Sequence, residues 1–414
     1  MFNNTLIKYN SFLNKFFSEQ IYNISSFELF EILLTKKINK PKFSIFEFFT
    51  NLINFFLSII TIFKCKILKL SRVNYFIVFN NDLSDPRSNH INSIIDINKN
   101  INIIKTSGLR LSLLSYLKFK NVIFHESIIY FSRFFYKEKK FTIKEKFKSI
   151  HKCKLRQYYI YSKIFKYLDI KKFIMIDDYR EIQIFIRICK KLKIESIGYM
   201  HSRFSKYRVS LKYDCFDKYI VWTDFFKKKL IKINPKYKNK ILVKNFRKFR
   251  RISNQKMSKN LTVLFFSDTL MDYKSVINYL NQLNNKNIKI LVRLKSNQNE
   301  DQNFLRYIND NRFTHVNNGN IETIVQKYRP KFFIATNSNV LLEATLYNCF
   351  PIILKTKNDY SFDLIKDKVV ISYSDKNNFY KFLKNLENKK YLINNIYKKI
   401  WSPKNEYKKF KSLF

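Results

Sequence analysis

The segment Phe332–Leu354, FFIATNSNVLLEATLYNCFPIIL, determines the fold class of the chain. Its opening run, FFIA, predicts a buried strand, and the polar residues 336–339 (TNSN) predict a turn. The following residues, VLLEATLYN, predict a helix, and the apolar run that begins at Phe350 predicts a second buried strand. Buried strands that alternate with helices are typical of a parallel sheet covered by helices on both faces.

The turn of this segment contains the first candidates for ligand binding. Asn337, Ser338 and Asn339 lie in the turn, and Glu343 follows Asn339 by about one turn of helix. Asn and Ser are favourable N-cap residues, and the N-terminus of a helix presents backbone N–H groups to an anion. We therefore expect these four residues to line a binding site. The alternative is an ordinary capped helix with a solvated Glu343.

Small residues are rare in this chain, which makes the remaining ones informative. The sequence has 3 Gly, whereas average usage would give about 29, and its two alanines are Ala335 and Ala344, in the segment above. The abundant residues, such as Lys, Asn, Ile and Phe, have codons made mainly of A and T. We therefore expect each surviving Gly or Ala to lie where nothing larger fits. Gly198 lies inside a predicted strand, where we expect another part of the backbone to approach closely.

The same alternation of strands and helices occurs on both sides of a basic, aperiodic segment at 246–260. Before it, buried strands are predicted at Val73–Phe79, Asn102–Ile104, Asn121–Phe124, Lys172–Ile176, Ser196–Met200 and Lys218–Trp222. After it, strands are predicted at Leu261–Phe266, Lys289–Arg293, Phe313–Val316, Phe332–Ala335, Pro351–Leu354 and Val369–Ser372, and helix at Lys376–Lys399. We expect an α/β protein of two doubly wound, Rossmann-like domains, 71–245 and 261–414, joined by a linker at 246–260.

The charge of the chain is weak evidence for any partner. Against 31 Asp and Glu, 79 Lys and Arg give a formal net charge of +48. The codon bias explains much of the Lys excess, so we do not expect a nucleic-acid partner. A hydrophobic content of 46% and an aromatic content of 17% exclude an intrinsically disordered chain.

Cysteine and histidine usage favours a reducing compartment and no bound metal. The five Cys and five His are scattered, without a CxxC pair, which argues against a disulfide framework and against structural zinc. The N-terminus lacks the pattern of a signal peptide, so we expect a cytoplasmic protein. The motifs GxxxxGK[ST], GxGxxG, HExxH and GxSxG are absent. We expect no metal and no cofactor.

The N-terminal segment 1–70 predicts helices, and its most apolar part indicates contact with a membrane surface. Phe43–Phe63 is apolar but interrupted by Glu47, Asn51 and Asn54 on one helical face, and Lys residues follow it. This pattern favours an amphipathic helix in the plane of an anionic membrane over a spanning helix. An ordinary helix that packs on the core is the alternative.

Ligands of doubly wound sheets bind beyond the carboxyl ends of the strands, so the residues there are candidates. In the first half they are His125 and Glu126, Asp178, and His201 with Ser202. His201 could act as a base for an acceptor hydroxyl, and Asp178 as a base, a metal ligand or a helix cap. In the second half they are Ser267 and Asp268, and then Arg293 and Lys295.

Two stretches of the sequence resemble glycosyltransferases of the GT-B fold. A strand, a turn with Ser and Asn, a helix with the pair Glu343-Ala344 and a proline-led strand are similar to the donor half of that superfamily. Ile194–Phe204, with His201, and the later Tyr213-Asp214 and Lys218–Trp222 resemble surface-polysaccharide and teichoic-acid-type transferases. This chain departs from them in having Ser202 where they have Gly, and Leu294-Lys295 where phosphopolyol transferases have His-Pro.

The resemblance implies a nucleotide sugar as co-substrate. Ser338 and Asn339 would contact the nucleotide diphosphate, and Glu343 the ribose or phosphate region. Arg293 or Lys295 could neutralise the diphosphate leaving group. Residues 71–245 would be the acceptor domain, and 261–414 the nucleotide-sugar domain.

The resulting hypothesis is a cytoplasmic glycosyltransferase, peripheral at the inner face of the cell membrane. It would transfer a sugar to a lipid-linked or cell-surface polysaccharide acceptor. The alternatives on the same fold are phosphopolyol or sialyl transfer, whereas an epimerase would need more acidic and His residues. The alternative from another class is a non-enzymatic basic protein that binds nucleic acid or anionic membrane.

Overall fold

A computed structural model describes most of the chain. The described residues are 2–16, 25–35, 45–67, 74–78, 102–107, 122–134, 142–176, 182–200, 202–243, 251, 260–268, 271–284, 286, 288–294, 302–311, 313–316, 320–356, 361–375 and 377–401. By contacts they divide into two compact units. The N-terminal unit is mainly Asn4–Trp222 and Phe226–Arg247, and the C-terminal unit is mainly Lys248–Glu406. The predicted linker at 246–260 and the predicted domain boundaries stay predictions.

A parallel sheet of seven strands forms the centre of the N-terminal unit, in the order β3-β2-β1-β4-β5-β6-β7. The strands are β1 (Asn74–Val78), β2 (Asn102–Ser107), β3 (Val122–Phe124), β4 (Lys172–Ile176), β5 (Glu195–Tyr199), β6 (Lys218–Val221) and β7 (Ile241–Val243). Because β2 and β3 are added on one side of β1 and β4 to β7 on the other, the winding reverses between β1 and β4.

Seven helices belong to the described part of this unit. They are α1 (Phe2–Phe16), α2 (Ser26–Thr35), α3 (Ile45–Ile67), α4 (His125–Phe134), α5 (Ile143–Tyr167), α6 (Ile182–Leu192) and α7 (Asp224–Ile233). The first two pack on the body of the unit: Tyr9 Oη lies 2.5 Å from Tyr213 Oη, and the rings of Phe30 and Tyr207 are 6.4 Å apart. The prediction of a helical N-terminal segment is confirmed.

A second parallel sheet, of six strands in the order β10-β9-β8-β11-β12-β13, forms the C-terminal unit. Its strands are β8 (Leu261–Phe266), β9 (Ile288–Arg293), β10 (Thr314–His315), β11 (Phe332–Ala335), β12 (Phe350–Leu354) and β13 (Ile371–Tyr373). Its helices are α8 (Tyr273–Asn284), α9 (Gln302–Asp310), α10 (Ile321–Tyr328), α11 (Val340–Glu343), α12 (Phe362–Lys366), α13 (Phe379–Glu387) and α14 (Tyr391–Ile400). This strand order is that of a Rossmann sheet, so the prediction of two doubly wound α/β units is confirmed.

The core on one face of this sheet is continuous. Alternate residues of neighbouring strands, such as Phe265, Val292, Ile334 and Ile352, are buried together. Full burial of both faces explains why the strands are uninterrupted apolar runs and not alternating ones.

Gly198 is enclosed by aromatic side chains of the neighbouring strand β6 and of the segment just before it. A Cβ at this position would lie 2.5 Å from Tyr219 Cδ2 and 2.6 Å from Phe216 Cδ2. The expectation of a position too tight for any side chain is therefore correct. The neighbours, however, are aromatic rings and not a backbone.

Candidate functional site

The polar residues at the carboxyl edge of the C-terminal sheet lie at the point where its winding reverses. β8 pairs with β11, and Phe266 faces Ala335 in the register of that pair. Ser267 and Thr336 therefore leave the sheet side by side. From β8 the chain winds to β9 and β10 on one side, whereas β11 begins the other side. The loops after β8 and β11 diverge, which opens the crevice where sheets of this kind bind ligands.

Three polar side chains are buried at this reversal point: Ser267, Asp268 and Thr336, each about 5–6% exposed. Ser267 is held by its backbone N–H, which donates to the carbonyl of Arg293 at 3.0 Å. Among the described residues, the Thr336 hydroxyl oxygen makes no hydrogen bond. A buried polar atom without a partner costs about 1–3 kcal/mol. A ligand or water that hydrogen-bonds to Thr336 Oγ1 would recover this energy.

A serine that sequence reasoning did not identify holds the loop after β11. Ser361 is buried, and its Oγ lies 2.9 Å from both Thr336 O and Asn337 Oδ1. A hydroxyl has one proton, so it donates to one of these oxygens at a time. The contact connects residues 336–337 to the start of α12. Ser361 stands directly before a helix, which is the only signal the sequence offers.

The predicted helix after this loop is present, but it changes type along its length. α11 is one turn long, and Ala344–Tyr347 continues as a 3-10 helix. The indole N–H of Trp401 donates to the Leu342 carbonyl at 3.1 Å. A continuing α-helix would use that carbonyl for the N–H of Leu346. Packing of the distant Trp401 thus accompanies the change of helix type.

Asn339 stands at the N-cap position of α11, but its side chain does not cap the helix. Its backbone is already helical, and its side chain makes no capping hydrogen bond. Instead the Val340 N–H donates to Ser338 Oγ at 3.4 Å. Asn337, Ser338, Asn339 and Glu343 are all partly exposed along this loop and turn. The structure thus places them at the same edge as Ser267 and Asp268.

Arg293 ends β9, next to β8, in the same row as Phe266. It is partly exposed, and burial lowers the pKa of its guanidinium from the usual value. An arginine keeps its charge at neutral pH even so. The charge therefore stands one strand from the reversal point. Lys295 lies outside the described residues.

The candidates of the N-terminal unit are less fully described. His201 and Asp178 lie outside the described residues, as do the side chains of His125 and Glu126 at the start of α4. Ser202 is buried and accepts a hydrogen bond from the guanidinium of Arg208.

The strands that precede His125 and His201 in the sequence are not neighbours in the sheet. Four strand spacings of about 4.8 Å separate the edge strand β3 from β5, roughly 19 Å.

His151, which the sequence did not single out, is structural. It lies buried on α5, with Nδ1 at 3.0 Å from Ser25 Oγ. Burial, with the nearby charge of Arg187, lowers its pKa to about 4. It is therefore neutral at physiological pH. Within the described part of the chain, no group of three or more His, Cys, Asp and Glu could hold a metal.

Comparison with known proteins identifies the fold. The sequence matches no protein-family model and no curated relative. The structure is similar to that of S. aureus MnaA with UDP, at a TM-score of 0.52 and 9% identity, covering 78% of this chain and 90% of that one. It is similar to CalG4, the calicheamicin glycosyltransferase, at 0.52 and 8% identity, covering 80% and 94%. A UDP-N-acetylglucosamine 2-epimerase matches at 0.46 and 13% identity, covering 80% and 90%.

These likenesses show that the chain has the GT-B fold, as the sequence resemblance implied. At such low identity they show the fold alone. Chemistry therefore has to be argued from the residues of this chain.

Proposed function

We propose that the protein is a glycosyltransferase that moves a sugar from a nucleotide-activated donor to a lipid-linked or cell-surface polysaccharide acceptor. The observation that carries this proposal is the group of buried polar residues at the reversal point of the C-terminal sheet, with Thr336 Oγ1 unpaired. Ligands of Rossmann-like units bind at this point. One similar structure contains UDP, which supports a nucleotide as the class of ligand.

In this proposal the C-terminal unit holds the donor. Ser267, Asp268 and residues 336–339 offer hydrogen bonds to the nucleotide sugar, and Glu343 contacts its ribose or phosphate region. Arg293, with Lys295, balances the negative charge that develops on the leaving nucleoside diphosphate. With a cation in this role, the reaction needs no metal or cofactor.

The N-terminal unit supplies the acceptor side. His201 removes the proton of the acceptor hydroxyl as that oxygen attacks the anomeric carbon. Asp178 is the alternative base. Ser202, fixed by Arg208, positions the turn that follows β5, and His125 with Glu126 contacts the acceptor further along the sheet edge. A membrane-linked acceptor places the enzyme at the cytoplasmic face of the cell membrane.

The experiment is a calorimetric titration of the full chain with UDP-, GDP-, CMP- and CDP-linked donors. Thr336→Val removes the unpaired hydroxyl and keeps the shape of the side chain. We expect it to lower donor affinity about tenfold, the effect of one lost hydrogen bond of about 1.4 kcal/mol. Stability should stay the same or rise, because a buried hydroxyl without a partner is removed.

Thr262→Val is the matched control. Thr262 is buried at the amino end of strand β8, at the other end of the strand from Ser267, and its hydroxyl donates to Asn260 O. It should leave donor affinity unchanged. Failure of all four donors to bind would refute the transferase. Unchanged affinity in both Thr336→Val and Glu343→Ala would refute the site.

Product analysis separates the alternatives on this fold. Transfer from a CDP-polyol or a CMP-sugar would assign phosphopolyol or sialyl transfer. Epimerisation of the donor without acceptor would contradict sugar transfer.

A further inference from the structure

Between residues 52 and 63, helix α3 has its polar residues inside and its apolar residues outside. Between 52 and 63 its polar residues are Asn54, Ser58 and Thr61, and all three are buried, at most 3% exposed. Every apolar residue in the same interval is partly or fully exposed. Spacings of four and three residues put the three polar side chains on one face of the helix. This is the reverse of a helix that covers the core of a soluble protein.

The polar face attaches α3 to the sheet. Ser58 Oγ accepts a hydrogen bond from the backbone N–H of Phe124 at 2.9 Å and donates to Asn54 O at 2.7 Å. Phe124 ends β3, the edge strand of the N-terminal sheet. On one flank, Phe48 and Phe55 contact Phe131 of α4. The helix is therefore fixed in place by its polar side, which leaves its apolar side turned outward.

The outer side is a continuous apolar stripe. Its seven large residues are between 48% and 80% exposed and follow one another at spacings of three and four. They are Phe46, Phe49, Ile53, Phe56, Ile60, Phe63 and Ile67. At 1.5 Å per residue the stripe is roughly 32 Å long. Single exposed apolar residues are ordinary, whereas a contiguous patch of this size indicates an interaction surface.

The width of the exposed apolar surface favours lipid, and not another helix, as the partner that covers it. A coiled-coil seam is narrow, with polar or charged residues on its flanks. No charged residue occurs from 52 to 63, and the flanking Leu52, Leu57 and Ile59 are also partly exposed and apolar. The apolar arc therefore covers the whole outward side of this part of the helix.

The carboxyl end of α3 has the residues of a membrane interface. Lys64 and Lys66 are exposed there. The ammonium group of Lys66 lies 5.3 Å from the ring centre of Tyr167, which is itself exposed and contacts Phe63. Lys and Tyr are the side chains that place a polar end among headgroups and an apolar part below them. Their positive charge complements anionic lipid.

A spanning helix is less consistent with these contacts. By length and composition α3 is long and apolar enough to cross a membrane. Ser58, in the middle of its polar face, however, accepts a hydrogen bond from the edge strand of a sheet. Crossing would carry that sheet edge into the hydrocarbon.

We propose that α3 anchors the protein in the plane of an anionic bilayer, with the stripe inserted among the acyl chains. The Asn54–Ser58–Thr61 face holds the N-terminal unit against the membrane. This goes beyond the proposed function, because lipid binding needs neither donor nor acceptor. The attachment is mainly hydrophobic, so it resists salt, unlike adsorption through the general positive charge.

The first test measures binding of the full chain to vesicles of phosphatidylcholine and phosphatidylglycerol by co-sedimentation, in low and in high salt. The variant is Phe56→Asp with Ile60→Asp. The control is Tyr159→Asp, an equally exposed aromatic on α5. We expect the double variant to lower the apparent affinity at least about 100-fold, roughly tenfold for each lost apolar insertion. The control and the wild-type chain in high salt should stay bound.

The second test measures how deeply the stripe inserts into the bilayer. Trp222 and Trp401 are buried, so each of the single variants Phe49→Trp, Phe56→Trp and Phe63→Trp reports on the stripe through quenching by brominated lipids. An in-plane helix predicts similar, shallow depths at all three positions. A depth that changes steadily by about 10 Å from each position to the next would indicate a spanning helix and overturn the proposal.

Three results of the first test would also overturn it. In the first, the aspartate variant binds vesicles as tightly as the wild type. In the second, the wild type no longer binds vesicles in high salt. In the third, no vesicle binding occurs, and the aspartates convert a wild-type dimer to monomers. Circular dichroism and donor titration of each variant show whether it is folded. Donor binding that persists while lipid binding is lost keeps the two proposals separate.

Discussion

Replacing Gly198 with alanine tests how tightly the N-terminal sheet is packed. The new Cβ would lie 2.5 Å and 2.7 Å from two ring carbons of Tyr219, and 2.6 Å from Phe216 Cδ2. Carbon atoms in contact are normally about 3.5–4.0 Å apart, so both rings would have to move by about 1 Å. Tyr219 is fully buried, and its ring also packs on Phe204 and Tyr237 at 5.9 and 5.3 Å. The rings therefore have little room to move.

The expected cost follows from this geometry. Overpacking of a close-packed core costs about 1–3 kcal/mol, and two displaced rings put this site at about 3 kcal/mol. Alanine recovers about 0.5 kcal/mol by restricting the unfolded chain. We expect a net loss of about 2.5 kcal/mol. For a unit of this size that lowers the midpoint of thermal unfolding by roughly 5–10 °C.

The assay is urea unfolding followed by tryptophan fluorescence in a Trp401→Phe background, where Trp222 reports on the N-terminal unit. The control is the same glycine substitution combined with Tyr219→Val, which removes the two clashing ring carbons of Tyr219 and leaves Phe216 in place. There, Gly198→Ala should cost at least about 1 kcal/mol less than in the Tyr219 background. An alanine variant within about 0.5 kcal/mol of wild type, or an equal cost in both backgrounds, would refute the reasoning.

Three further predictions concern buried polar groups. Because burial lowers the pKa of His151 to about 4, the native state resists its protonation. The free energy of unfolding of the N-terminal unit should therefore fall by up to about 3 kcal/mol as the pH falls from 6.5 to 4. Urea unfolding of His151→Gln should not show this decrease. Ser361→Ala removes the hydroxyl that donates to Thr336 O or to Asn337 Oδ1. Calorimetry should therefore show donor affinity reduced about three- to tenfold, and denaturation a stability loss of about 1 kcal/mol. Equal affinity would contradict that role of the serine. All five cysteines are buried. A thiol reagent at pH 8 should therefore modify none of them in the folded chain and all five in denaturant. Rapid modification of any cysteine in the folded chain would show that this cysteine is not buried.

The strands of the C-terminal unit were predictable from the sequence because continuous apolar runs between polar residues have one plausible place in a parallel sheet. The predicted bounds of Leu261–Phe266 and Phe332–Ala335 agree with the observed strands. The change from α-helix to 3-10 helix after Glu343 was not predictable, because the hydrogen bond from Trp401 to Leu342 joins residues far apart in the sequence. The contact of Ser361 with residues 336–337 also joins distant parts of the sequence and was not predictable either.

α3 shows a different limit of sequence reasoning. Its periodicity indicates which residues share a face, but not which face the rest of the protein covers. Asn54, taken as part of a polar face at the membrane surface, is instead buried in the protein. Only the position of β3, whose backbone needs a hydrogen-bond acceptor at Phe124, decides the orientation.

The positions of the candidate residues in the sheet were easier to predict from the sequence than the role of each residue. Ser267, Asp268 and residues 337–339 follow strands that are neighbours in the sheet, which the doubly wound order implies. Thr336 stands in the same loop but was not singled out, because its importance comes from burial without a partner.

The central claim is that a nucleotide sugar binds at the reversal point of the C-terminal sheet. Hydrogen–deuterium exchange of the full chain, with and without a saturating donor nucleotide, tests it most directly. We predict slower exchange in peptides that cover 267–268 and 336–340, and unchanged exchange at the opposite edge, around 260–262 and 330–331. Protection confined to that opposite edge, or no protection at the reversal point while the nucleotide is bound, would contradict the claim.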